Sequence, residues 1–252
     1  MNVLILAAGY ATRLYPLTLN KAKPLLEVAG KPMINWVLDN LAPIPDIETV
    51  YVVTNNKFAN DFREWAAGYA GKHPRFKIKI VNDGSTSDAD KRGAIGDIHY
   101  TLESKGLFGT DLIVVAGDNL FSEPVDGFAI AGGEAAATIA VYDVGDFELV
   151  KKYNSISVDE TGRITHFVEK SPTPQSTLTG IALYYYRKDI LPLIDLYVRE
   201  GNNPDQPGRL IEWLFTRVEV STWKVPGLWF DIGGKESLVE ANEVFQQFVP
   251  KH

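Results

Sequence analysis

Four short stretches of this sequence carry residue types suited to handling phosphate groups. The first is Leu6-Ala7-Ala8-Gly9-Tyr10-Ala11-Thr12-Arg13, with Lys23-Pro24 ten residues on. It ends the apolar run from Val3 to Ala7, and small residues there let backbone N–H groups approach an anion closely. Arg13 and Lys23 add the cationic clamps a triphosphate needs. Gly9 alone reads as a turn residue; the combination is far more specific. The second stretch, Val114-Val115-Ala116-Gly117-Asp118-Asn119, puts a carboxylate at the end of an apolar run, well placed to hold a cation. A lone Gly-Asp-Asn is more often a turn. The third, Leu228-Trp229-Phe230-Asp231-Ile232-Gly233, sets an acid ahead of a helix, where N-terminal capping competes as its explanation. The fourth, Phe167-Val168-Glu169-Lys170, places opposite charges at a strand end that solvation alone would explain.

Composition narrows the chemistry. The 252 residues include no cysteine, which removes disulfides, thiolate metal sites and cysteine nucleophiles. Four scattered histidines make a hard cation on carboxylates the better expectation for any metal. The net charge of −7, with no run of Lys and Arg, argues against a nucleic-acid partner. An acidic chain that handles anionic small molecules must focus a few cations at one site. Met1 to Tyr10 lacks a basic leader region, and no stretch has the apolar length of a membrane span. A soluble, cytoplasmic protein is the expectation, with a homo-oligomer left open.

The elements that must position these residues follow from periodicity. Val3–Ala7, Thr49–Thr54, Phe76–Asn82 and Leu112–Ala116 read as strands; Lys31–Leu41, Asn56–Ala70 and Gly93–Glu103 read as helices. Strands alternating with helices imply right-handed βαβ units and a mostly parallel sheet. Ligands then sit at the carboxyl ends of the strands, so the loops 8–18, 82–92 and 117–121 should line one crevice. Further on, Ala137–Tyr142, Ser155–Val158, Arg163–Glu169 and Thr179–Tyr186 are closely spaced strands, expected to form an antiparallel lid or substrate lobe. Helices near Asp189–Glu200 and Gly208–Arg217, two short strands and a last helix with Leu238, Ala241, Phe245 and Phe248 on one face complete the chain. The expected fold class is α/β: Rossmann-like, three-layer α/β/α, with a mostly parallel central sheet and a small antiparallel substrate lobe. Residues 1–252 are expected to form a single domain, with a nucleotide-binding half of about 1–120 and an acceptor-binding half of about 121–252.

The first stretch resembles the N-terminal signature of the sugar-nucleotide pyrophosphorylases, the glucose-1-phosphate thymidylyl- and uridylyltransferase family. Ala8 and Ala11 stand where two glycines are usual, which narrows the loop without removing its N–H groups. Gly117-Asp118-Asn119 resembles the Gly-Asp-Asn whose Asp binds magnesium, and Trp229-Phe230-Asp231-Ile232-Gly233 resembles the source of the second magnesium carboxylate. Glu169-Lys170-Ser171-Pro172 is similar to a Glu-Lys-Pro whose Glu holds sugar hydroxyls and whose Lys binds the sugar phosphate. Thr179-Gly180 resembles a strand lining the acceptor pocket.

The resemblance therefore implies a magnesium-dependent nucleotidyltransferase that joins a nucleoside triphosphate to a phosphorylated small molecule, a sugar 1-phosphate first. It implies Arg13, Lys23, Asp118 and Asp231 as the catalytic set. Ala7, Ala8, Gly9, Thr12, Arg13, Lys23, Asn82 and Gly93 would meet the nucleotide, and Asn119, Glu169, Lys170 and Gly180 the acceptor. Two departures bear on the acceptor: Asp97, near the expected sugar pocket, is a foreign charge, and Tyr153-Asn154-Ser155 replaces Tyr-Gly. A cytidylyltransferase for a phosphate such as phosphocholine, with Tyr184–Tyr186 and Trp229 as an aromatic cage, is the rival enzyme. A non-catalytic nucleotide-sensing subunit is the rival outside enzymes.

Overall fold

The computed structural model describes residues 1–249. The chain opens with β1 (Asn2–Leu6), β2 (Glu27–Val28), β3 (Lys31–Pro32), α1 (Met33–Leu41), β4 (Thr49–Thr54), α2 (Ala59–Lys72) and β5 (Ile78–Asn82). It continues through α3 (Ala94–Lys105), β6 (Leu112–Ala116), β7 (Asn119–Phe121), α4 (Asp126–Gly132), β8 (Ala137–Asp143), α5 (Phe147–Val150), β9 (Asn154–Val158) and β10 (Ile164–Glu169). Then come β11 (Leu178–Tyr186), α6 (Leu191–Arg199), α7 (Pro207–Leu214), β12 (Val220–Lys224), β13 (Trp229–Asp231) and α8 (Lys235–Phe245).

A seven-stranded sheet runs β12-β8-β11-β6-β1-β4-β5. It is mostly parallel: β4 pairs parallel with β5 and β12 with β8, whereas β11 runs antiparallel to both β6 and β8. The all-buried, β-branched β4 is what a strand covered on both faces requires. β8 and β11 correct the expected lobe. Of the four strands expected in it, these two join the central sheet, because their apolar residues face both ways and need cover on both. Only β9 and β10 form a separate antiparallel ribbon.

The chain forms two compact units. The first comprises Met1–Leu4, Arg92–Val115 and Gly127–Val225; the second comprises Ile5–Lys91, Ala116–Asp126 and the segment from Pro226 on. In the second unit, α1 and α8 close a core of Leu14, Met33, Trp36, Ile232, Ala241 and Phe245, with Leu238 and Phe248 packed against it. The helical spacing in α8 thus buries the face it predicted. Phe245 meets Trp36 edge-on at 5.0 Å, and truncating it to alanine would cost about 3–5 kcal/mol. In the first unit, His99 of α3 lies 2.9 Å from Asp195 of α6, tying those helices together.

Candidate active site

The second unit gathers the carboxyl ends of its strands. Ala7 N–H donates to Val53 O, Gly117 N–H to Leu6 O, and Asp83 N–H to Thr54 O, so β1, β6, β4 and β5 are joined just past their ends. Asn55, fully buried, donates from Nδ2 to Ala8 O at 2.9 Å and accepts Phe58 N–H at Oδ1. That side chain fixes the first turn of the loop. Ala7 and Ala8 are buried, Gly9 is exposed, and the space a Cβ would take at Gly9 is open for 4 Å around. Ala11 adopts the left-handed region at φ 48°, a position where glycine carries no steric penalty, and its carbonyl accepts the Thr18 hydroxyl. Thr12–Leu14 then makes a single 3-10 turn that sends Leu14 into the core and leaves Thr12 and Arg13 exposed.

Opposite this loop stands a charge cluster. Lys23 begins a 3-10 turn with Pro24, and Pro24 packs so closely on Gly117 that an added Cβ would lie 3.0 Å from Pro24 Cγ. Gly117 is therefore what lets the Lys-Pro segment reach Asp118. Lys23 Nζ lies 2.5 Å from Asp118 Oδ2, while Asn119 Nδ2 donates to Oδ1 at 3.3 Å. The second acid arrives through β7 and β13, whose antiparallel register sets Asp231 opposite Asn119. Trp229 Nε1 locks that ribbon by donating to Asn119 Oδ1 at 2.8 Å.

Electrostatics separates the two acids. Burial would raise the Asp118 carboxyl, but the Lys23 ammonium outweighs it and holds the group below the usual range. Asp231 is pushed up, by burial first and by the Asp118 charge second, against the opposing pull of Lys23 and Arg13. Two carboxylates that repel each other, offering only oxygen donors, suit a small hard divalent cation. The donor set fits magnesium.

A model of the nucleotidyl transferase family matches residues 2–247. The chain belongs to the nucleotidyl transferase family. It is 26% identical over 243 residues to the bifunctional protein GlmU of Methanocaldococcus jannaschii, covering 96% of this chain but only 54% of that protein. The chain thus spans about half the length of that relative. It is also 26% identical over 250 residues to the UTP–glucose-1-phosphate uridylyltransferase AglF of Haloferax volcanii, covering 98% and 97% of the two chains. Its fold matches a UDP-glucose pyrophosphorylase crystallised with UDP-glucose at a TM-score of 0.79 and 20% identity, over 98% of each chain.

In this chain, Ala7, Ala8, Gly9, Thr12, Arg13, Lys23, Asn82, Asp118, Asn119 and Asp231 all belong to the second unit, while Gly93, Glu169, Lys170 and Gly180 belong to the first. Asn82 is half-buried, donating to Asn56 Oδ1 and accepting Gly84 N–H. Asn119 donates to Asp118 and accepts from Trp229, which makes it a support of the carboxylate. Gly93 is glycine for a packing reason: its φ is +78°, and a Cβ would lie 2.6 Å from Pro204 O. Asp97 is buried in the first turn of α3 and does not point to solvent.

Glu169 ends β10 with Oε2 buried and without a hydrogen-bond partner. Burial pushes its carboxyl up to about 7, opposed by Lys170 and Arg209. Asn55 and Trp229 are the supports that motif reading overlooked. Asn55 had a visible sign, a polar residue immediately after the apolar β4, whereas the role of Trp229 depends on a pairing between residues more than a hundred positions apart.

Proposed function

We propose that this chain transfers a nucleoside monophosphate from a nucleoside triphosphate to a sugar 1-phosphate, releasing pyrophosphate. The observation that carries this reading is the Lys23–Asp118–Asp231 cluster facing the loop from Ala7 to Arg13. The uridylyltransferase name of AglF, and the UDP-glucose bound by the similar fold, lend it support. In the reaction an acceptor phosphate oxygen bonds to the α-phosphorus as the bond to the bridging β-phosphate oxygen breaks. The electron pair of that bond leaves with pyrophosphate. The acceptor phosphate is already ionised at neutral pH, so no protein base is required, and catalysis reduces to alignment and charge stabilisation.

Asp118 and Asp231 would hold magnesium, which when bound offsets charge on the α-phosphate. The open space at Gly9 and the N–H groups of Ala8 and Thr12 suit the triphosphate, while Ala7, its N–H held by Val53 O, anchors the start of the loop. Arg13, exposed on its turn, would stabilise charge developing on the departing pyrophosphate, and Lys23 would bind a nucleotide phosphate. Asn82 and Gly93 are the candidates for reading the base. Glu169 and Lys170 serve the acceptor in this reading, which is set in the cytoplasm, while Asn119, bonded to Asp118 and Trp229, and Gly180, bonded through its backbone to Asn154, act behind them as supports.

The phosphocholine alternative loses its main support, because Tyr184 and Tyr186 stack on each other inside the core and cannot cage a ligand. A pyrophosphate-release screen of the ribonucleoside triphosphates and dTTP against phosphorylated acceptors, with and without magnesium, tests the proposal. Release with a sugar 1-phosphate, lost on chelation, is expected. Release only with phosphocholine would replace the acceptor, and none with any pair would leave the nucleotide-sensing reading.

A further inference from the structure

The first unit carries a further group of metal-ligand side chains, and this one includes an imidazole. His99 and Glu103 stand one turn apart on α3, so they share a face of that helix. Asp195 meets them from α6. His99 Nε2 lies 2.9 Å from Asp195 Oδ1 and 3.7 Å from Glu103 Oε1, and one ligand atom from each of the three side chains falls within 4.8 Å of the other two. His99 and Asp195 are half-buried and Glu103 is exposed. The group is thus rooted in the seam between two helices and open to solvent on the Glu103 side.

These spacings suit an ion. Zinc binds imidazole nitrogen and carboxylate oxygen at about 2.0–2.2 Å, which at tetrahedral angles sets neighbouring ligand atoms about 3.3 Å apart. The observed 2.9 and 3.7 Å lie on either side of that value, and the wider gap belongs to Glu103, whose exposed side chain can close it by changing rotamer. The backbone already holds the two helices together near this point. Ala94 N–H and Ile95 N–H, in the first turn of α3, donate to Asp205 O and Pro204 O on the loop that follows α6. Binding therefore does not have to assemble the site.

Arg199, one turn beyond Asp195 on α6, is the competitor, with Nε 3.0 Å from the same Oδ1. Its side chain is 72% exposed, so that pair is screened by solvent and opens readily. An imidazole among the donors favours first-row transition ions, whereas magnesium prefers oxygen donors and keeps its waters. With no cysteine in the chain, no thiolate draws such an ion elsewhere.

We propose that His99, Glu103 and Asp195 form a binding site for a divalent transition ion such as Zn2+ or Co2+, with solvent completing the coordination, and that the ion clamps α3 to α6. His99 ligates through Nε2 as a neutral imidazole, and any proton on that nitrogen leaves as the ion binds. Because the ion recognises the folded arrangement, it stabilises the fold by mass action.

Co2+ tests this on the full chain, with excess magnesium present to fill oxygen-only sites. Isothermal titration should show Co2+ binding to the wild type, and Co2+ should raise its Tm. Glu103→Gln, a change at an exposed position that spares the fold, and His99→Gln should each weaken Co2+ binding about ten-fold or more and shrink the Tm shift. Arg199→Gln should tighten binding, since it removes the competing cation. If the group is only an ion pair joining two helices, His99→Gln lowers the Tm equally with and without Co2+, and that result overturns the proposal. Co2+ binding that is unchanged in both His99→Gln and Glu103→Gln also overturns it, because the ion then sits elsewhere.

Discussion

The two carboxylate clusters, Asp118 with Asp231 in the second unit and Glu169 in the first, solve the problem of a buried acid in opposite ways. Asp118 is compensated by a cation already in place, and its neighbour Asp231 is left under repulsion. Glu169 is opposed by Lys170 and Arg209, but burial outweighs both and its proton is held up to about pH 7. Charge compensation keeps the first cluster anionic and suited to a metal ion. Burial without compensation leaves the second close to neutral and suited to hydroxyl groups. The contrast sorts the expected consequences of mutation.

The largest effect belongs to the metal-suited pair. Asp118→Ala and Asp231→Ala should each cut pyrophosphate release by about three orders of magnitude or more while the circular dichroism spectrum stays native. Magnesium-dependent turnover at wild-type rate in either variant would end the assignment. Arg13→Lys comes next, with kcat falling by roughly one to three orders of magnitude and triphosphate KM changing far less, because an ammonium cannot reproduce the fork of a guanidinium. A loss confined to KM would make Arg13 a binding residue only.

Glu169→Gln should show the other cluster's signature in stability as well as in binding. The folded state holds the Glu169 proton more tightly than an ordinary glutamate at 4.5, so this stabilisation is complete below about pH 4.5 and is lost as pH rises through 7. The unfolding free energy of Glu169→Gln should therefore exceed that of wild type by little at pH 5 and by a growing margin up to pH 8, about 1–3 kcal/mol in all, read from thermal melts. A margin independent of pH would mean that Glu169 is not buried in its charged form. The smallest effect lies in the loop. Ala11→Gly relieves the left-handed backbone at φ 48° but adds freedom to the unfolded chain, so the net gain should be about 1 kcal/mol or less in thermal melts.

Much of this was legible in the residues themselves. The apolar runs at Leu112–Ala116 and Thr49–Thr54 became strands at those bounds, and the small residues after β1 lead into a turn at Thr12–Leu14. The acids at 118 and 231 came together as expected from their motifs. Less legible were the strands whose partners lie far off: an apolar run states that it will be buried but not in which sheet, so β8 and β11 read as part of a lobe yet belong to the central sheet.

The sequence by itself determined the chemistry on offer: oxygen ligands without thiols, a small-residue loop with Arg13 and Lys23, and acids at strand ends. These are fixed by residue type and local spacing, which no packing can alter. Only the tertiary structure decided which acid keeps its charge. That outcome turns on Lys23 reaching Asp118 past Gly117, and on Glu169 lying under Gly208 beside Asn154, and solvation and Coulomb energies depend on distances that local spacing does not contain.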